Sequence, residues 1–306
     1  MLGRTLFPVV GAILLLLSGC ISVEKRPSAK EYYGTANEAY AKGDFTGAVD
    51  NYRDLLDHYP LNPYAEEAQL KISYSYYIEK KYAESVAAFS DFERAYPTSM
   101  HLPFVEYYRG MSYLEQMRSI DRDQSVTEKA HERFRAVTDR FPESPFAPLA
   151  EKKIRICREA LAAHELLVAN YYDGYDNVLA ARTRLRALIE NYPETDSTPE
   201  ALGRLEALLI EDEKPDLAKL AAQARAVRLA TAPPQEDDVG NAPSVQSDLP
   251  APGVDPLLTL VTELKKQEDD VRKRIRDAIL ADTTKMKEQA EQLKKADQEK
   301  ADREGE

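Results

Sequence analysis

Apolar and small residues recur at fixed distances before four prolines of the chain. Each proline follows an aromatic residue, and each is preceded at twelve, eight and five residues by one small and two large apolar residues. The prolines are Pro60, Pro97, Pro142 and Pro193, and the three columns before them are Ala48, Ser85, Ala130 and Ala181; Tyr52, Phe89, Phe134 and Leu185; and Leu55, Phe92, Val137 and Leu188. Residues spaced by four and three lie on one face of an α-helix. The pattern therefore predicts four helices, each closely approached by a neighbour at its small residue and each ended by a proline, which has no N–H to donate.

A second helical pattern precedes the first of these helices. Tyr32, Ala36 and Tyr40 share one face of a predicted helix, and a glycine-containing turn follows at residues 43–45. Each unit is therefore predicted to be two antiparallel helices. This pattern resembles the tetratricopeptide repeat, whose period is about 34 residues. The four prolines are 37, 45 and 51 residues apart, which predicts longer first helices or insertions in the later units.

The repeats predict an all-α chain, a tetratricopeptide-repeat superhelix of about five helix pairs over residues 29–229. Residues 20–28 are expected to form a short tether before it. Residues 230–255 are rich in proline and contain no lysine or arginine, so we expect a flexible linker there. Residues 256–306 are predicted to form a charged helix.

The apolar stripe of this charged helix is sparse. Its members are Leu257, Val261, Leu264, Val271 and Ile275, and Glu268 interrupts them. Two interpretations stay open for this segment: a weak coiled coil that binds a partner, or a largely solvated helix.

The N-terminus indicates a lipid anchor. Arg4, an apolar run at residues 9–17 and small residues before Cys20 are typical of a secretory signal peptide over residues 1–19. The cysteine after small residues resembles the bacterial lipoprotein box, which implies cleavage before Cys20 and acylation of its thiol and amine. Ile21 is not the aspartate that retains such lipoproteins in the inner membrane, so we expect the periplasmic face of the outer membrane. The alternative is an ordinary secreted protein with an incidental cysteine.

Composition favours a binding scaffold over an enzyme. The net charge of −12 argues against binding nucleic acid through a basic patch. The four histidines show no metal-ligand spacing, and no nucleophile or phosphate-loop motif occurs. Cys157 is the only cysteine besides Cys20 and has apolar neighbours at helical spacing, so we expect a packed core thiol. We therefore predict no catalytic residue, no metal and no cofactor.

Tyrosine is the residue type that suggests a binding surface, with eighteen in a chain that has no tryptophan. In a tetratricopeptide superhelix the first helices line the inner face, which predicts that Tyr33, Asn37, Tyr40, Tyr74 and Tyr77 lie there. A tyrosine presents a flat apolar body with a hydrogen-bonding tip, so such a groove suits an extended peptide with aromatic side chains. For Tyr40 and Tyr77, packing between helices is an equal alternative, whereas Tyr33, Asn37 and Tyr74 favour the groove.

Several short motifs, in a fixed order, carry a more specific resemblance. They are residues 59–65 (YPLNPYA), 76–77 (YY), 95–98 (AYPT), 107–110 (YYRG), 121–124 (DRDQ), 141–147 (FPESPFA), 170–172 (NYY) and 191–195 (NYPET). From about Tyr32 to Leu208 the chain thus resembles the BamD family, tetratricopeptide lipoproteins of the outer-membrane β-barrel assembly machinery. The resemblance implies docking onto the POTRA domains of the barrel subunit BamA, recognition of unfolded outer-membrane protein precursors, and contact with other assembly lipoproteins.

The family places precursor contact toward the first repeats and BamA contact toward the last ones, which suggests Tyr171, Tyr172 and Tyr175 as partner-binding residues. Tyr175 and Asp176 stand where the family usually has a basic residue and a glycine, and the segment after residue 231 lies outside the resemblance. The alternative function is a periplasmic adaptor for cell-wall or division machinery.

Overall fold

The computed structural model describes residues 26–231 and 255–278. All regular secondary structure within these two ranges is α-helical. The predicted signal peptide, the anchor residue Cys20, most of the predicted linker and residues 279–306 lie outside the described residues.

Ten of the helices in this part of the chain form five consecutive pairs, and an eleventh follows. Their bounds are α1, Ala29–Ala41; α2, Phe45–His58; α3, Ala65–Ile78; α4, Tyr82–Ala95; α5, Leu102–Leu114; α6, Ser125–Arg140; α7, Ala147–Asp173; α8, Val178–Asn191; α9, Ser197–Glu211; α10, Pro215–Thr231; and α11, residues 256–278. The chain divides into two compact units between Ser99 and Met100. The first unit holds the pairs α1–α2 and α3–α4, and the second holds α5–α6, α7–α8, α9–α10 and α11. The predicted all-α fold of tetratricopeptide-type helix pairs is confirmed.

The three residue columns form the interior of the helix pairs. All twelve side chains are at most 1% exposed. The first helix of a pair supplies the matching small residue, and these residues are Ala36, Ser73, Gly110 and Ala169, all of them buried. Small residues on both helices allow the two backbones to approach closely, so the large residues of the columns can fill the space on either side.

The four prolines end equivalent helices, as the sequence predicts. The aromatic residue before each proline has a φ between −137° and −129° and a ψ between 46° and 64°, outside the helical region that a following proline disfavours. Its backbone N–H still donates to the carbonyl of the column residue four positions earlier, in the first case from Tyr59 to Leu55. The last helical hydrogen bond is therefore kept, and the chain turns toward the next pair.

The turns within four of the pairs share one geometry. Gly43, Lys80, Asp176 and Glu213 each have a positive φ, between 53° and 78°. In each turn the next residue donates its N–H to a carbonyl five residues back, as Asp44 does to Ala39 at 3.0 Å. This Schellman arrangement closes the C-terminus of the first helix and starts the second two residues later.

The α5–α6 pair and the α7–α8 pair contain the extra residues that the proline spacing predicts. Between α5 and α6 the chain runs through a loop at residues 115–124, where the Gln124 amide donates to the carbonyls of Ser119 and Arg122. In the next pair α7 is 27 residues long, about twice the length of the first helices before it. The increasing distances between the prolines therefore arise from one insertion and one extended helix.

The charged segment after the predicted linker packs against the chain's own repeats. Leu260, Val261 and Leu264 of α11 are at most 8% exposed and belong to the apolar core formed by α7–α10. Glu268, which interrupts the stripe in the sequence, is also buried and is paired with Arg186 of α8. Neither interpretation of the sequence anticipated this contact within the chain.

Candidate functional site

Residues of α1 and α3 in the first unit form a polar aromatic surface, here called the α1–α3 face. Its members are Tyr33, Asn37, Tyr40, Glu67, Lys71, Tyr74 and Tyr77. Five of these seven are the residues predicted for the inner groove, and the other two, Glu67 and Lys71, are not apparent from the sequence alone. Residues of the first two repeats meet here, since the Lys71 ammonium of α3 donates to the Asn37 side chain of α1.

Asn37 is the hydrogen-bonding centre of the α1–α3 face. Its Oδ1 accepts from the Tyr52 hydroxyl at 2.5 Å and from Lys71 Nζ at 2.7 Å. Tyr52 is a fully buried column residue of α2, so the Asn37 amide is bound both by a core residue and by a residue of α3. These two bonds fix the orientation of the side chain and leave its NH2 group, a donor of two hydrogen bonds, on the opposite side of the amide.

Lys71 places a positive charge among the tyrosines. Its Nζ lies 2.8 Å from Glu67 Oε1, 5.8 Å from the ring centre of Tyr33 and 5.4 Å from that of Tyr40. Both ring distances are in the range of a cation–π interaction. The ammonium therefore connects Tyr33, Tyr40 and Asn37 of α1 to Glu67 on its own helix.

Three of the four tyrosine rings of the face are stacked on a neighbouring ring. Tyr33 lies parallel to Tyr64, with ring centres 4.3 Å apart and an interplanar angle of 12°. Tyr74 and Tyr77 are also nearly parallel, with centres 6.0 Å apart and an angle of 14°. Stacking fixes the rings before any ligand arrives, which reduces the entropy lost on binding.

Burial raises the pKa of two phenols of the face. Desolvation raises the pKa of Tyr33, with a further contribution from a hydrogen bond to Glu67. It likewise raises the pKa of Tyr40, to which nearby Tyr74 contributes. Both phenols therefore stay neutral throughout the physiological pH range and keep an O–H to donate.

The arrangement has the chemistry of a binding surface. Flat, half-buried rings offer apolar contact to a side chain, while Asn37, Lys71 and Glu67 offer donors and acceptors to a peptide backbone. Tyr40 and Tyr77 also have structural contacts, since Tyr40 meets the edge of Phe45 at 5.3 Å and Tyr77 lies 6.0 Å from Tyr82. Packing between helices is therefore observed for both rings, and their role in a groove stays a prediction.

The three tyrosines predicted to bind a partner lie at the end of α7 in the second unit. Tyr171 and Tyr175 are 60% and 71% exposed, with ring centres 4.8 Å apart. Tyr172 is partly buried against the apolar core of α7–α10. Asp176 follows with a φ of +56°, a conformation that glycine adopts without strain. The glycine that the resemblance implies at this position would adopt this turn without strain, and Asp176 adopts it as well.

The other potentially reactive side chains, a cysteine and two histidines, contact the protein's own core or backbone. Cys157 is fully buried, and desolvation raises the pKa of its thiol to about 12, so it is a poor nucleophile at neutral pH. His58 and His164 each bind a backbone carbonyl through Nδ1, at 2.8 and 2.6 Å. Among the described residues, no group of three or more His, Cys, Asp or Glu side chains could hold a metal ion. Residues 26–231 and 255–278 also contain no helix long and apolar enough to cross a membrane.

The short motifs near the prolines are explained mainly by structure. In the first junction the Asn62 side chain bonds the carbonyl of Tyr59 and the N–H of Tyr64, which fixes the turn between two pairs. In the fourth, the Thr195 hydroxyl donates to the Tyr192 carbonyl at 2.9 Å. Gly110 lies against the ring of Phe134, where any side chain would collide with it. Such motifs are therefore markers of the fold more than of the binding surface.

Comparison with known proteins agrees with this assignment of the fold and extends it. Residues 25–223 match the family model YfiO, described as an outer membrane lipoprotein. Outer membrane protein assembly factor BamD of Xylella fastidiosa strain Temecula1 is 31% identical over 215 residues, covering 65% of this chain and 73% of the relative. The BamD proteins of Caulobacter vibrioides and Pasteurella multocida are 30% and 29% identical, covering 64% and 69% of this chain and 67% and 83% of theirs. The chain therefore belongs to the BamD family of outer membrane protein assembly factors.

Proposed function

We propose that the chain is a non-catalytic scaffold for the assembly of β-barrel proteins, anchored by lipid at Cys20 to the periplasmic face of the outer membrane. Membership of the BamD family supports the assembly role, since relatives that cover most of the repeats carry the name assembly factor. The signal sequence supports the anchor. Acyl chains contribute about 0.8 kcal/mol per buried methylene, so the three chains of a bacterial lipoprotein would hold the protein on the bilayer almost permanently.

The α1–α3 face is proposed to bind unfolded barrel precursors through extended, aromatic-containing segments. The observation that carries this proposal is the fixed group of Tyr33, Asn37 and Lys71, in which stacked rings surround a paired ammonium. An ammonium has three N–H donors, and Asn37 and Glu67 account for two of them. The third can donate to a carbonyl oxygen of a bound peptide while its aromatic side chain packs on the rings.

The end of α7 is proposed to contact the POTRA region of a BamA-type subunit. Tyr171 and Tyr175 offer two adjacent, exposed aromatic rings of the kind enriched at protein interfaces. Tyr172 packs on the core and would position them. The basic residue usual in the family is replaced by Tyr175, so we propose that this contact is more apolar here than in its relatives.

Site-specific photo-crosslinking in cells tests both contacts. A photoreactive phenylalanine analogue would replace Tyr33, Tyr74 or Tyr175, and Leu61, which is fully exposed in a loop of the first unit, would serve as the control position. We expect adducts with newly made barrel precursors from positions 33 and 74, adducts with the barrel subunit from position 175, and neither from position 61. Equal precursor adducts from positions 61 and 74 would refute the α1–α3 face as the binding surface. Adducts with cell-wall or division enzymes in place of barrel proteins would favour the alternative adaptor function.

A further inference from the structure

The second unit contains a contact that lies beyond the family match. The family match ends at residue 223. Helix α10 ends at residue 231, residues 232–254 lie outside the described ranges, and α11 begins at residue 256. Leu260, Val261, Leu264 and Glu268 are buried along one face of this helix, and Leu257 is partly buried one turn before them.

The groove that receives α11 has a polar edge along α8. Arg182, Arg186 and Glu190 recur every four residues on one face of that helix. Arg186 binds both oxygens of Glu268, with Nε–Oε1 and Nη2–Oε2 distances of 2.8 Å. Arg182 Nη2 donates to Gln267 Oε1 at 3.0 Å, and Lys265 is paired with Glu190. A bidentate arginine–carboxylate pair fixes direction and register as well as adding attraction.

The contact is confined to residues 256–268, about the first three and a half turns of α11. Residues 269–278 are exposed except for Val271, which is partly exposed. A helix as short as the contacting part, 256–268, is marginal in water without a partner surface. Its helical structure and its docking are therefore coupled, and its stability depends on four apolar side chains, two ion pairs and the hydrogen bond of Gln267.

The two arginines of α8 also have carboxylate partners outside α11. Arg186 also binds Glu190 at 2.7 Å, and Arg182 also pairs with Asp212, in the turn between α9 and α10. Both guanidinium groups thus keep a carboxylate when α11 leaves, which lowers the cost of exposing the groove. The groove is built by the repeats, and α11 fills it.

We propose that residues 256–268 are a displaceable ligand of a helix-binding groove on the last two repeats, and that the groove is occupied in cis. The ligand chemistry is an amphipathic helix with leucines three and four residues apart and an acidic residue four positions after the last of them. Because the segment is part of the chain, its effective concentration at the groove is high, and a competing helix must overcome this advantage. The chain would thereby restrict access to its own C-terminal repeats.

The test compares two charge reversals on adjacent residues in the full-length chain. Glu268→Lys opposes Arg186 and removes the buried pair, whereas Asp269→Lys makes the same charge change at an exposed position. Hydrogen exchange would follow α8, α9 and α11, and a labelled peptide of residues 255–278 would report whether the groove is free. We expect E268K to lose protection over residues 257–268 alone and to bind the peptide at least about tenfold more tightly than the unchanged chain. D269K should behave as the unchanged chain does.

A rescue variant separates the ion pair from a general disturbance. In Arg186→Glu combined with Glu268→Arg the two charges exchange places, and the guanidinium introduced on α11 would face the carboxylate introduced on α8 together with Glu190. We therefore expect protection of α11 to return and peptide binding to weaken again.

Three results would overturn the proposal. Loss of protection in α8 and α9 together with α11 would show that the helix is an integral part of the fold. Equal peptide binding by E268K and the unchanged chain, or binding by neither, would show that the groove is not a site that α11 vacates. A concentration-dependent dimer of the unchanged chain would show that the tail docks on a second copy, which contradicts occupancy in cis.

Discussion

Replacement of Gly110 by alanine tests the close approach of α5 and α6. A Cβ atom on Gly110 would lie 2.8 Å from Cε1 of Phe134 and 3.0 Å from its Cδ1. Phe134 is fully buried and meets the ring of Tyr107 at 5.7 Å, so its ring has little room to move away. The matched control is Gly34→Ala in α1, an exposed helical position with nothing within 4 Å of the added Cβ.

The magnitude follows from two opposing effects. Alanine in place of glycine within a helix stabilises by about 0.5–1 kcal/mol, and both substitutions should gain this. Overpacking a well-filled interior costs about 1–3 kcal/mol, and only Gly110→Ala should incur it. The two changes in the free energy of unfolding should therefore differ by about 1–3 kcal/mol, with Gly34→Ala stabilising and Gly110→Ala neutral to destabilising.

Thermal unfolding followed by circular dichroism can measure this difference. Each kcal/mol shifts the melting temperature by about 2–4 °C for a unit the size of the second one, which holds Gly110, and by about 4–8 °C for a unit the size of the first one, which holds Gly34. Combining Gly110→Ala with Phe134→Leu should recover part of the loss, because the smaller side chain vacates the space that the new methyl group needs. If Gly110→Ala stabilises the protein as much as Gly34→Ala does, the close contact and the packing argument built on the small-residue columns are wrong.

Further predictions concern packing, pH and the anchor. Ala181→Leu and Ala48→Leu each enlarge a fully buried small residue of the columns. Each should lower the free energy of unfolding, measured by denaturant titration, by about 1–3 kcal/mol. An unchanged midpoint would contradict the column assignment. The hydrogen bond from Arg158 lowers the pKa of Glu194 below its ordinary value of 4.5, so its contribution to stability is present above that pH and is lost as the pH falls through the lower, folded-state pKa. Melting between about pH 5 and pH 3 should therefore decline less steeply for Glu194→Gln than for the unchanged chain. Cys20→Ser should move the protein from membrane pellets to the soluble periplasmic fraction, and continued sedimentation with membranes would argue against acylation.

The repeat fold is predictable because its determinants are local. Helical spacing places Ala48, Tyr52 and Leu55 on one face, and a proline ends the helix whatever else surrounds it. The turns are less visible in the sequence: Gly43 indicates a positive φ, whereas Lys80 and Glu213 adopt the same conformation with no such signal. In those turns the hydrogen bonds of the helix end, and not the preference of the residue, determine the backbone.

The candidate sites are only partly predictable because their partners lie far away in the sequence. Repeat phase places the tyrosines of α1 and α3 on one face, but the roles of Lys71 and Glu67 depend on contacts with the neighbouring repeat. Glu268 interrupts an apolar stripe in the sequence, and its partner Arg186 is 82 residues away. A buried charge is acceptable when paired, and the pairing is visible only after folding.

Depletion of the protein in its own cells tests the central claim most directly. The measurement is the amount of folded β-barrel protein in the outer membrane, with re-expression of either the unchanged chain or a variant carrying Tyr33→Ala and Lys71→Ala. We predict that depletion lowers barrel proteins broadly, that the unchanged chain restores them, and that the variant, present at an equal level in the membrane, does not. Normal barrel levels after depletion would contradict the proposed assembly function.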